Sequence, residues 1–437
     1  MFQNKAITFY SLKNYFMNVC TIGLGYIGLP TSALLADNQI KVHGVDINQS
    51  VVDTINQGKI HFVEEGLEDI VKKAVQSGYF KADTKPQVSD VYLIVVPTPF
   101  SSNNEPDISY VKAATESIVP LLKEGDLCII ESTSPVGTTE KMAQLIARSR
   151  PDLLATPDQA FDPKSSKMKI SIAYCPERVL PGNVMYELVH NDRVIGGLNE
   201  DSTDKACEFY AAVVKGELHR TNSRTAEMCK LTENASRDVQ IAFANELSII
   251  CDKAEIDPWE LIHLANKHPR VNILQPGCGV GGHCIAVDPW FIVSDYPLES
   301  RMIASAREIN NHKAFWCADK IKSEIKSFEL REGRLPVVAI MGLAFKPNID
   351  DLRESPAKYI AMRVFQMDAG AEVLFVEPNI ENHPNLKLTD YLEAYKKADI
   401  VAFLVAHNEF KTLSLDKEKV NLDFCGVIKG RLSTSKK

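Results

Sequence analysis

The pattern G-x-G-x-x-G near the start of this chain constrains its fold more strongly than any other feature. Gly23, Gly25 and Gly28 follow a short apolar run, NVCTI, and precede a helix-like segment, LPTSALLADN. In a nucleotide-binding βαβ unit, the first glycine permits a tight turn, the second admits a pyrophosphate, and the third lets the helix pack closely on the strand. The next apolar run, KVHGVDI, carries Asp46 near its end. This order of elements predicts such a unit.

Asp46 indicates which dinucleotide the unit binds. Its distance along the chain from the glycines is about that of the carboxylate that binds the adenosine ribose in such units. A carboxylate there would repel the 2′-phosphate of NADP, so the sequence predicts NAD as the cofactor. The alternative is a glycine turn that binds no ligand.

Later segments extend the alternation of strands and helices. The apolar runs VYLIVVP, DLCIIES and RVIGG alternate with helical segments to about residue 215, which predicts a doubly wound parallel sheet. From 224 to 256, apolar residues recur at helical spacing without glycine or proline, which predicts one long helix. A second alternation begins at LPVVAIMGLAF and continues through AEVLFVEP and ADIVAFLV.

The predicted fold class is therefore α/β, with two Rossmann-like doubly wound parallel-sheet domains joined by a central helical region. Long helices between two such units commonly supply subunit contacts. The predicted boundaries are 17–215 for the first domain, 216–325 for the helical region and 326–437 for the second domain. Because the first apolar pattern begins at Met17, residues 1–16 are predicted to be a poorly ordered extension.

Bulk composition disfavours several classes of protein. A net charge of −8 disfavours nucleic acid or an anionic membrane as a partner, and no apolar run is long enough to span a bilayer. The ten cysteines show neither a C-x-x-C pair nor zinc-ligand spacing. We therefore predict no metal site, and we interpret the cysteines as reduced thiols of a cytoplasmic protein.

Hydroxyl-bearing and charged residues follow the predicted strands, at the edge where ligands bind in such sheets. Thr98, Thr133 and Thr139 lie in VPTPF and ESTSPVGTT, where each is either a donor to the cofactor or substrate, or a helix N-cap. Glu177 and Arg178 lie between two prolines in CPERVLPG. They either face solvent or point into a cleft, where Glu177 would handle protons and Arg178 would bind a sugar phosphate or hydroxyls.

Three polar residues share one face of the predicted long helix. Lys230, Asn234 and Arg237 fall at i, i+4 and i+7, which is the spacing of helical neighbours. A solvated polar stripe is the usual explanation. The alternative is a site in which Lys230 and Asn234 polarise a carbonyl or alkoxide and hold a water.

The segment PGCGVGGHCIAVD places Cys284 just beyond closely spaced glycines and beside His283. Glycines let a backbone approach a ligand closely, so the pattern favours an exposed, nucleophilic thiol over a buried, inert one. A thiolate needs nearby positive charge, and Lys230 would supply it if the fold brings the two together. Asp288 follows in a turn before Pro289.

Two further segments carry charged residues suited to a phosphorylated ligand. HPRVNILQPG leads into the cysteine loop with His268 and Arg270, and GLAFKPNIDDLRESP offers Phe345, Lys346 and Arg353. A lysine and an arginine at the carboxyl edge of a second nucleotide-type sheet suit a uridine diphosphate. A solvated loop is the alternative.

Taken in order, GLGYIGLP, VPTPF, STSPVG, CPERVLPG, KLTEN, GVGGHC and GLAFKPNIDDLRESP resemble the motifs of the UDP-glucose/GDP-mannose dehydrogenase family. The resemblance runs from about Met17 to the late 420s. It implies two Rossmann-like domains around a central dimerisation region, NAD as the cofactor and a UDP-sugar as the substrate. CPERVLPG, NELSIIC and HPRVNILQPG resemble the bacterial branch that oxidises UDP-N-acetyl-D-mannosamine for surface polysaccharides of the enterobacterial common antigen type.

The resemblance also implies roles for individual residues. It assigns Cys284 as the nucleophile and Lys230 as an acid/base residue, and implies that Arg270 is donated by the partner subunit of a homodimer. Around the sugar nucleotide it places Arg178, Val179, Asn234, Arg237, His268, Arg270, Gly281, Phe345 and Lys346. Around NAD it places Tyr26, Ile27, Asp46, Thr98, Thr139 and Arg353.

The chain departs from the family pattern at three positions. Val287 stands where glucose-type relatives carry a lysine, which disfavours UDP-glucose as the substrate. Cys278 replaces a proline of the cysteine loop. Cys425 replaces a basic residue that meets the diphosphate, so that contact is either lost or supplied by Lys429 or Arg431.

These features together predict a four-electron oxidation of a sugar primary alcohol. Cys284 would hold the aldehyde as a thiohemiacetal and then as a thioester, and Lys230 with Asn234 would stabilise the oxyanion. Glu177 or Asp288 would assist the hydrolytic water. Alternatives are a UDP-N-acetylglucosamine 6-dehydrogenase, a two-electron dehydrogenase of the 3-hydroxyacid or 6-phosphogluconate type, and a non-catalytic NAD-binding protein.

Overall fold

A computed structural model describes residues 17–100, 105–155, 162, 167–179, 182–282, 284–366 and 370–428. The chain divides into two compact units, Met1–Lys230 and Leu231–Lys437. The extension predicted at 1–16 lies outside the described residues. Within the described ranges, no helix is both long enough and apolar enough to cross a membrane.

The first unit contains one eight-stranded sheet with the order β3-β2-β1-β4-β5-β6-β7-β8. Its strands are β1 (Asn18–Ile22), β2 (Lys41–Val45), β3 (Phe80–Asp83), β4 (Val91–Ile94), β5 (Leu127–Ile130), β6 (Ser171–Tyr174), β7 (Arg193–Gly197) and β8 (Leu218–Asn222). The helices are α1 (Gly28–Asp37), α2 (Gln49–Asn56), α3 (Leu67–Gln76), α4 (Ser109–Ile118), α5 (Thr138–Ser149), α6 (Val184–His190) and α7 (Glu200–Tyr210).

Both faces of this sheet are covered, as the prediction of a doubly wound sheet requires. Successive residues of β1 alternate between two cores, with Val19 in one and Cys20 in the other. The predicted runs all form strands, but the prediction that RVIGG continues a parallel sheet was wrong. β7 pairs antiparallel with β6, because an apolar run indicates burial and does not encode the direction of the strand.

A single long helix, α8 (Ser223–Lys253), follows the first sheet. This confirms the helix predicted from the spacing of apolar residues. The second unit then contains α9 (Pro258–Ala265), α10 (Asp288–Asp295), α11 (Arg301–Glu332), α12 (Pro356–Gln366) and α13 (Tyr391–Lys397).

The second unit also holds a four-stranded sheet, all of whose pairs are parallel, with the order β10-β9-β11-β12. Its strands are β9 (Val337–Met341), β10 (Glu372–Val376), β11 (Ile400–Phe403) and β12 (Val420–Asp423). The three predicted strands are present. β12 was missed, because its sequence VNLD has little apolar character and all four residues are only half-buried.

Candidate active site

The glycine turn of the first unit has the geometry of a dinucleotide site. Gly23 has a φ of +97°, and a Cβ atom at Gly28 would lie 1.8 Å from the carbonyl oxygen of Gly23. In contrast, a Cβ atom at Gly25 would meet nothing within 4 Å. α1 begins at Gly28 without an acidic residue in its first turn, and no described side chain caps its N-terminus. The open space at Gly25 and the positive end of the helix therefore fit a pyrophosphate.

Asp46 lies at the end of β2 beside this turn. Its Oδ2 accepts a hydrogen bond from the amide of Leu24 at 3.2 Å, and its Oδ1 accepts one from the amide of Asn48 at 2.9 Å. The carboxylate is half-buried, which leaves part of it accessible to a ribose. Tyr26 in the turn is exposed and packs on Phe62, with ring centroids 4.4 Å apart.

The three threonines predicted at the strand ends have different surroundings. Thr98 and Thr133 are half-buried, so their role as cofactor contacts stays a prediction. Thr139 is fully buried, and its hydroxyl donates to Oε1 of Glu227 at 2.6 Å. Glu227 also accepts the amides of Thr139 and Gly137 at the start of α5. The N-terminus of α5 is thus stabilised by a carboxylate of the chain itself.

Glu177 forms part of a buried cluster of charges behind these strand ends. Its Oε1 accepts the amide of Arg178 at 2.6 Å, and its Oε2 lies 3.0 Å from the guanidinium of Arg193. Glu131 lies in the same cluster, where it accepts the Tyr210 hydroxyl at 2.5 Å. Burial, with the nearby charge of Glu177, raises the pKa of Glu131 to about 7 although Arg193 opposes this. Arg178 and Val179 follow on a half-buried segment.

Cys284 is exposed, as the sequence predicted. Its backbone carbonyl accepts the amides of Val287 and Asp288 at 3.1 and 2.8 Å, so the thiol lies one turn before α10. Asp288 is buried at the first residue of α10, and its Oδ2 accepts a hydrogen bond from the side-chain amide of Asn234 at 2.5 Å. The structure therefore connects Asn234 to the cysteine loop. His283 lies outside the described residues.

A buried polar network fixes the start of the cysteine loop. Asp238 accepts hydrogen bonds from Arg307 and Asn310 at 2.7 and 2.8 Å, which ties α8 to α11. Asn310 in turn accepts from Asn245 at 2.8 Å, and Asn245 accepts the amide of Gly277 at 2.9 Å. Both ends of the loop are thus held by α8, because Asn245 binds its start and Asn234 binds Asp288.

Phe345 packs directly against the glycines of the cysteine loop. A Cβ atom at Gly281 would lie 2.9 Å from the Cβ of Phe345, and one at Gly282 would lie 2.9 Å from its ring. A side chain at Gly282 would displace the aromatic ring, and one at Gly281 would also meet the carbonyl oxygen of Glu354 at 2.4 Å, so both positions require glycine. Gly281 and Phe345 are therefore packed against each other, and the roles of Gly281, Cys284 and Phe345 in a substrate site stay predictions.

The remaining candidates lie on several segments, and most of them are exposed. Lys230 lies one helical turn before Asn234 on α8 and is half-buried, whereas Arg237 is exposed. His268, Arg270, Lys346 and Arg353 are also exposed. The Arg353 guanidinium is bound by the carboxylate of Asp351 at 2.7 Å. Their roles around the cofactor and the sugar nucleotide stay predictions.

Some residues that shape these segments were missed in the sequence. Glu227 precedes KLTEN by three residues, Arg193 follows CPERVLPG by eleven, and Asn245 is the first residue of NELSIIC, but no chemical role was predicted from the sequence for any of the three. The available signal was a charged or amide side chain at an apolar position of a helix or strand. Such a side chain must find a partner when it is buried.

Cys425, which departs from the family pattern, makes an internal contact. Its thiol donates to the carbonyl of Phe403 at 3.5 Å, and the carboxylate of Asp423 accepts the amides of residues 425–428. Lys429 and Arg431, the predicted substitutes for a basic residue here, lie outside the described residues. The turn is thus held by Asp423, independently of the residue type at 425.

Comparisons with known proteins agree over most of the chain. Profiles of the UDP-glucose/GDP-mannose dehydrogenase family match as an NAD binding domain at 17–214, a central domain at 224–312 and a UDP binding domain at 339–432. A UDP-N-acetyl-D-mannosamine dehydrogenase of Escherichia coli is 55% identical over 411 residues, which is 92% of this chain and 96% of the relative.

Two further matches extend this result. An NDP-N-acetyl-D-galactosaminuronic acid dehydrogenase of Ralstonia nicotianae is 52% identical over 418 residues, covering 94% of this chain and 96% of the relative. Among solved structures, a UDP-N-acetyl-mannosamine dehydrogenase of Staphylococcus aureus superposes with a TM-score of 0.82 at 38% identity. That match covers 94% of this chain and 99% of the other.

Proposed function

The chain belongs to the UDP-glucose/GDP-mannose dehydrogenase family, and we propose that it oxidises UDP-N-acetyl-D-mannosamine at C6 to the uronate. The observation that carries this proposal is the exposed Cys284 on a glycine loop that packs against Phe345. NAD, when bound, accepts one hydride in each of two oxidation steps. The uronate product would be used in the synthesis of a bacterial surface polysaccharide. The cysteines of the chain are free thiols, which supports a cytoplasmic location.

In the proposed reaction, Cys284 holds the substrate carbon between the two oxidations. The thiolate adds to the C6 aldehyde and forms a thiohemiacetal, and loss of a second hydride leaves a thioester. Lys230 takes up and returns the proton of the C6 oxygen, and the Asn234 amide stabilises the oxyanion. Water then releases the carboxylate and regenerates the thiol, so no free aldehyde escapes.

Asp288 is the better candidate for activating the hydrolytic water. It lies one turn after Cys284 and is oriented by Asn234. Glu177, the other candidate, has one oxygen against Arg193 and the other against the Arg178 amide. We therefore propose that Glu177 shapes the 175–179 segment, where Arg178 and Val179 contact the sugar nucleotide.

The substrate and the stoichiometry are tested together. We expect two NADH per molecule of UDP-N-acetyl-D-mannosamine consumed, because two hydrides leave one carbon. The measurement is NADH absorbance against product quantified by mass spectrometry, with the UDP forms of N-acetylglucosamine, N-acetylgalactosamine and glucose as the comparison panel. One NADH per sugar with release of an aldehyde would contradict the mechanism. A higher kcat/KM with the glucosamine or galactosamine derivative would contradict the substrate.

We also propose that the chain works as a homodimer with three functional segments, 17–215, 216–325 and 326–437. The separate matches of three family profiles support this division. On α8, Phe243 and Ile250 are about half exposed and seven residues apart, so they share one helical face, and Leu264 on α9 is also exposed. Exposed apolar residues in such an arrangement are typical of a subunit interface.

Mixed dimers test whether Arg270 acts across that interface. If each site takes Arg270 from the partner subunit, Arg270→Ala and Cys284→Ala homodimers should both be nearly inactive. Dimers reassembled from the two variants should regain up to about a quarter of the wild-type rate, because random mixing makes half heterodimers, each with one intact site. The readout is NADH production after co-refolding or co-expression. No recovery, with heterodimers verified by mass spectrometry, would assign Arg270 to its own subunit.

A further inference from the structure

The second unit repeats the backbone of the NAD-type turn in the first. Gly342 has a φ of +98° against +97° for Gly23. The Gly342 amide donates to the carbonyl of Val376 at 2.9 Å, as that of Gly23 does to Val45 at 2.8 Å. The following amide, Leu343, donates to the carboxylate of Glu377 at 2.8 Å. Glu377 thus occupies the position that Asp46 occupies in the first unit.

The strand register extends this equivalence to a histidine. Ile94 of β4 pairs with Ile22, directly before Gly23, and Phe403 of β11 pairs with Met341, directly before Gly342. Four residues after these strand ends lie Thr98 in the first unit and His407 in the second. His407 therefore stands where the first unit carries a predicted cofactor contact.

In the second unit these two positions face each other and are closed to solvent. Nε2 of His407 lies 3.2 Å from Oε2 of Glu377, and both side chains are fully buried. Burial alone would raise the pKa of the Glu377 carboxyl, but His407 and the amides of Leu343 and Ala344 together hold it below its usual value. The carboxylate is thus charged, internal and unavailable to a ribose.

The pair holds the loop that carries Phe345 and Lys346. Oε2 of Glu377 accepts the amides of Leu343 and Ala344 at 2.8 and 2.9 Å. On the other side of Lys346, Nδ1 of His407 accepts the amide of Asn348 at 3.0 Å. The loop is therefore fixed immediately before Phe345 and again two residues after Lys346.

Through Phe345 this restraint reaches the cysteine loop, since Gly281 and Gly282 pack on that side chain. Asn348 has a φ of +60°, a left-handed conformation that asparagine adopts more readily than most residues. The Asn348 side chain completes the arrangement by accepting the amide of Asn408 at 3.0 Å. One buried pair thus determines the backbone on both sides of two predicted substrate contacts.

We propose that Glu377 and His407 are positioning residues, which convert a dinucleotide-type turn into a rigid support for the loop that binds the UDP-sugar. The proposal rests on the proposed function in that the ligand of this loop is a UDP-sugar. It predicts that loosening the pair weakens binding of the uridine diphosphate while the site of the first unit is unaffected.

The test compares His407→Leu, His407→Asn and Glu377→Gln in the full-length protein. Leucine removes the acceptor for the Asn348 amide, whereas asparagine retains one near the position of Nδ1. We expect the dissociation constant of UDP, measured by calorimetry, to rise about tenfold or more in His407→Leu, the loss expected when a hydrogen bond to a buried acceptor is broken. Glu377→Gln should shift in the same direction, and His407→Asn should recover most of the affinity.

Tyr395→Phe is the matched control. Its hydroxyl accepts the amide of Asp416 at 2.8 Å, so the variant removes a part-buried hydrogen bond of the same unit away from the loop. The KM for NAD should stay within about twofold of wild type in every variant, while the KM for the UDP-sugar rises in His407→Leu and Glu377→Gln.

Equal UDP affinity in Tyr395→Phe and His407→Leu would overturn the proposal. If His407→Leu does not fold, wild-type UDP affinity in Glu377→Gln would overturn it as well. If the wild-type protein binds UDP but oxidises no UDP-sugar, the proposed function is refuted. The proposed role of Glu377 and His407 is then still tested by the UDP affinities of the variants.

Discussion

Replacing Cys284 with alanine should abolish uronate formation, with a loss of at least about a thousandfold in the rate of the complete reaction, because the proposed covalent intermediate could not form without the thiol. Cys284 is exposed at the end of a loop whose start is bound by Asn245 and whose far end is bound by Asn234. The smaller side chain fits this frame without strain. The measurement is uronate formation by mass spectrometry together with NADH absorbance.

The form of the loss distinguishes a nucleophile from a structural cysteine. NAD affinity should be unchanged in Cys284→Ala, since the glycine turn and Asp46 belong to the first unit. Cys317 supplies the matched control because it is a buried thiol of the second unit whose pKa is raised by burial. Cys317→Ala should keep most of the uronate-forming rate, although its stability falls. Uronate production at the normal rate by Cys284→Ala would refute the covalent mechanism.

The parts of this site that the sequence predicted are those whose residue type follows from backbone geometry. Gly23 and Gly28 leave no room for a side chain, and Gly281 and Gly282 are packed against Phe345. Such positions produce a recognisable pattern because only glycine satisfies them. The exposure of Cys284, two residues after Gly282, was predicted from this glycine pattern.

The parts that were not predicted depend on contacts between distant segments. The hydrogen bonds that Glu227 accepts from backbone amides join α8 to the start of α5, and the Glu377–His407 pair joins the ends of β10 and β11. A single sequence gives no sign of which buried carboxylate meets which partner. The direction of β7 was missed for a related reason, since hydrogen-bond partners and not apolar content decide whether a pair is parallel.

The two Rossmann-like units illustrate this difference within one chain. Both contain a glycine turn and a strand-end acid, and from sequence alone Asp46 and Glu377 would be given the same role. The structure separates them, because Asp46 remains half-buried while Glu377 is enclosed with His407. A motif therefore predicts the backbone conformation more reliably than it predicts the ligand, which depends on what lies across the sheet edge.

Replacing Asp288 with asparagine should block the last step of the reaction. The variant keeps an oxygen that can accept the Asn234 amide, so the contact of 2.5 Å between these side chains is retained while the basic carboxylate is lost. Both oxidations should then proceed and leave a thioester on Cys284. Loss of a general base lowers the rate of the step it assists by about 10²–10⁴-fold. We expect a burst of two NADH per active site followed by slow turnover.

Rapid-quench mass spectrometry of the intact protein checks this result, because an acyl adduct on Cys284 should accumulate during the slow phase. Glu177→Gln is the comparison, since Glu177 was the other candidate for activating water. With both of its oxygens bound, to Arg193 and to the Arg178 amide, its replacement should show no burst and should lower substrate affinity instead. A burst in Glu177→Gln and none in Asp288→Asn would reverse the assignment, and Glu177 would then be the residue that releases the acyl group.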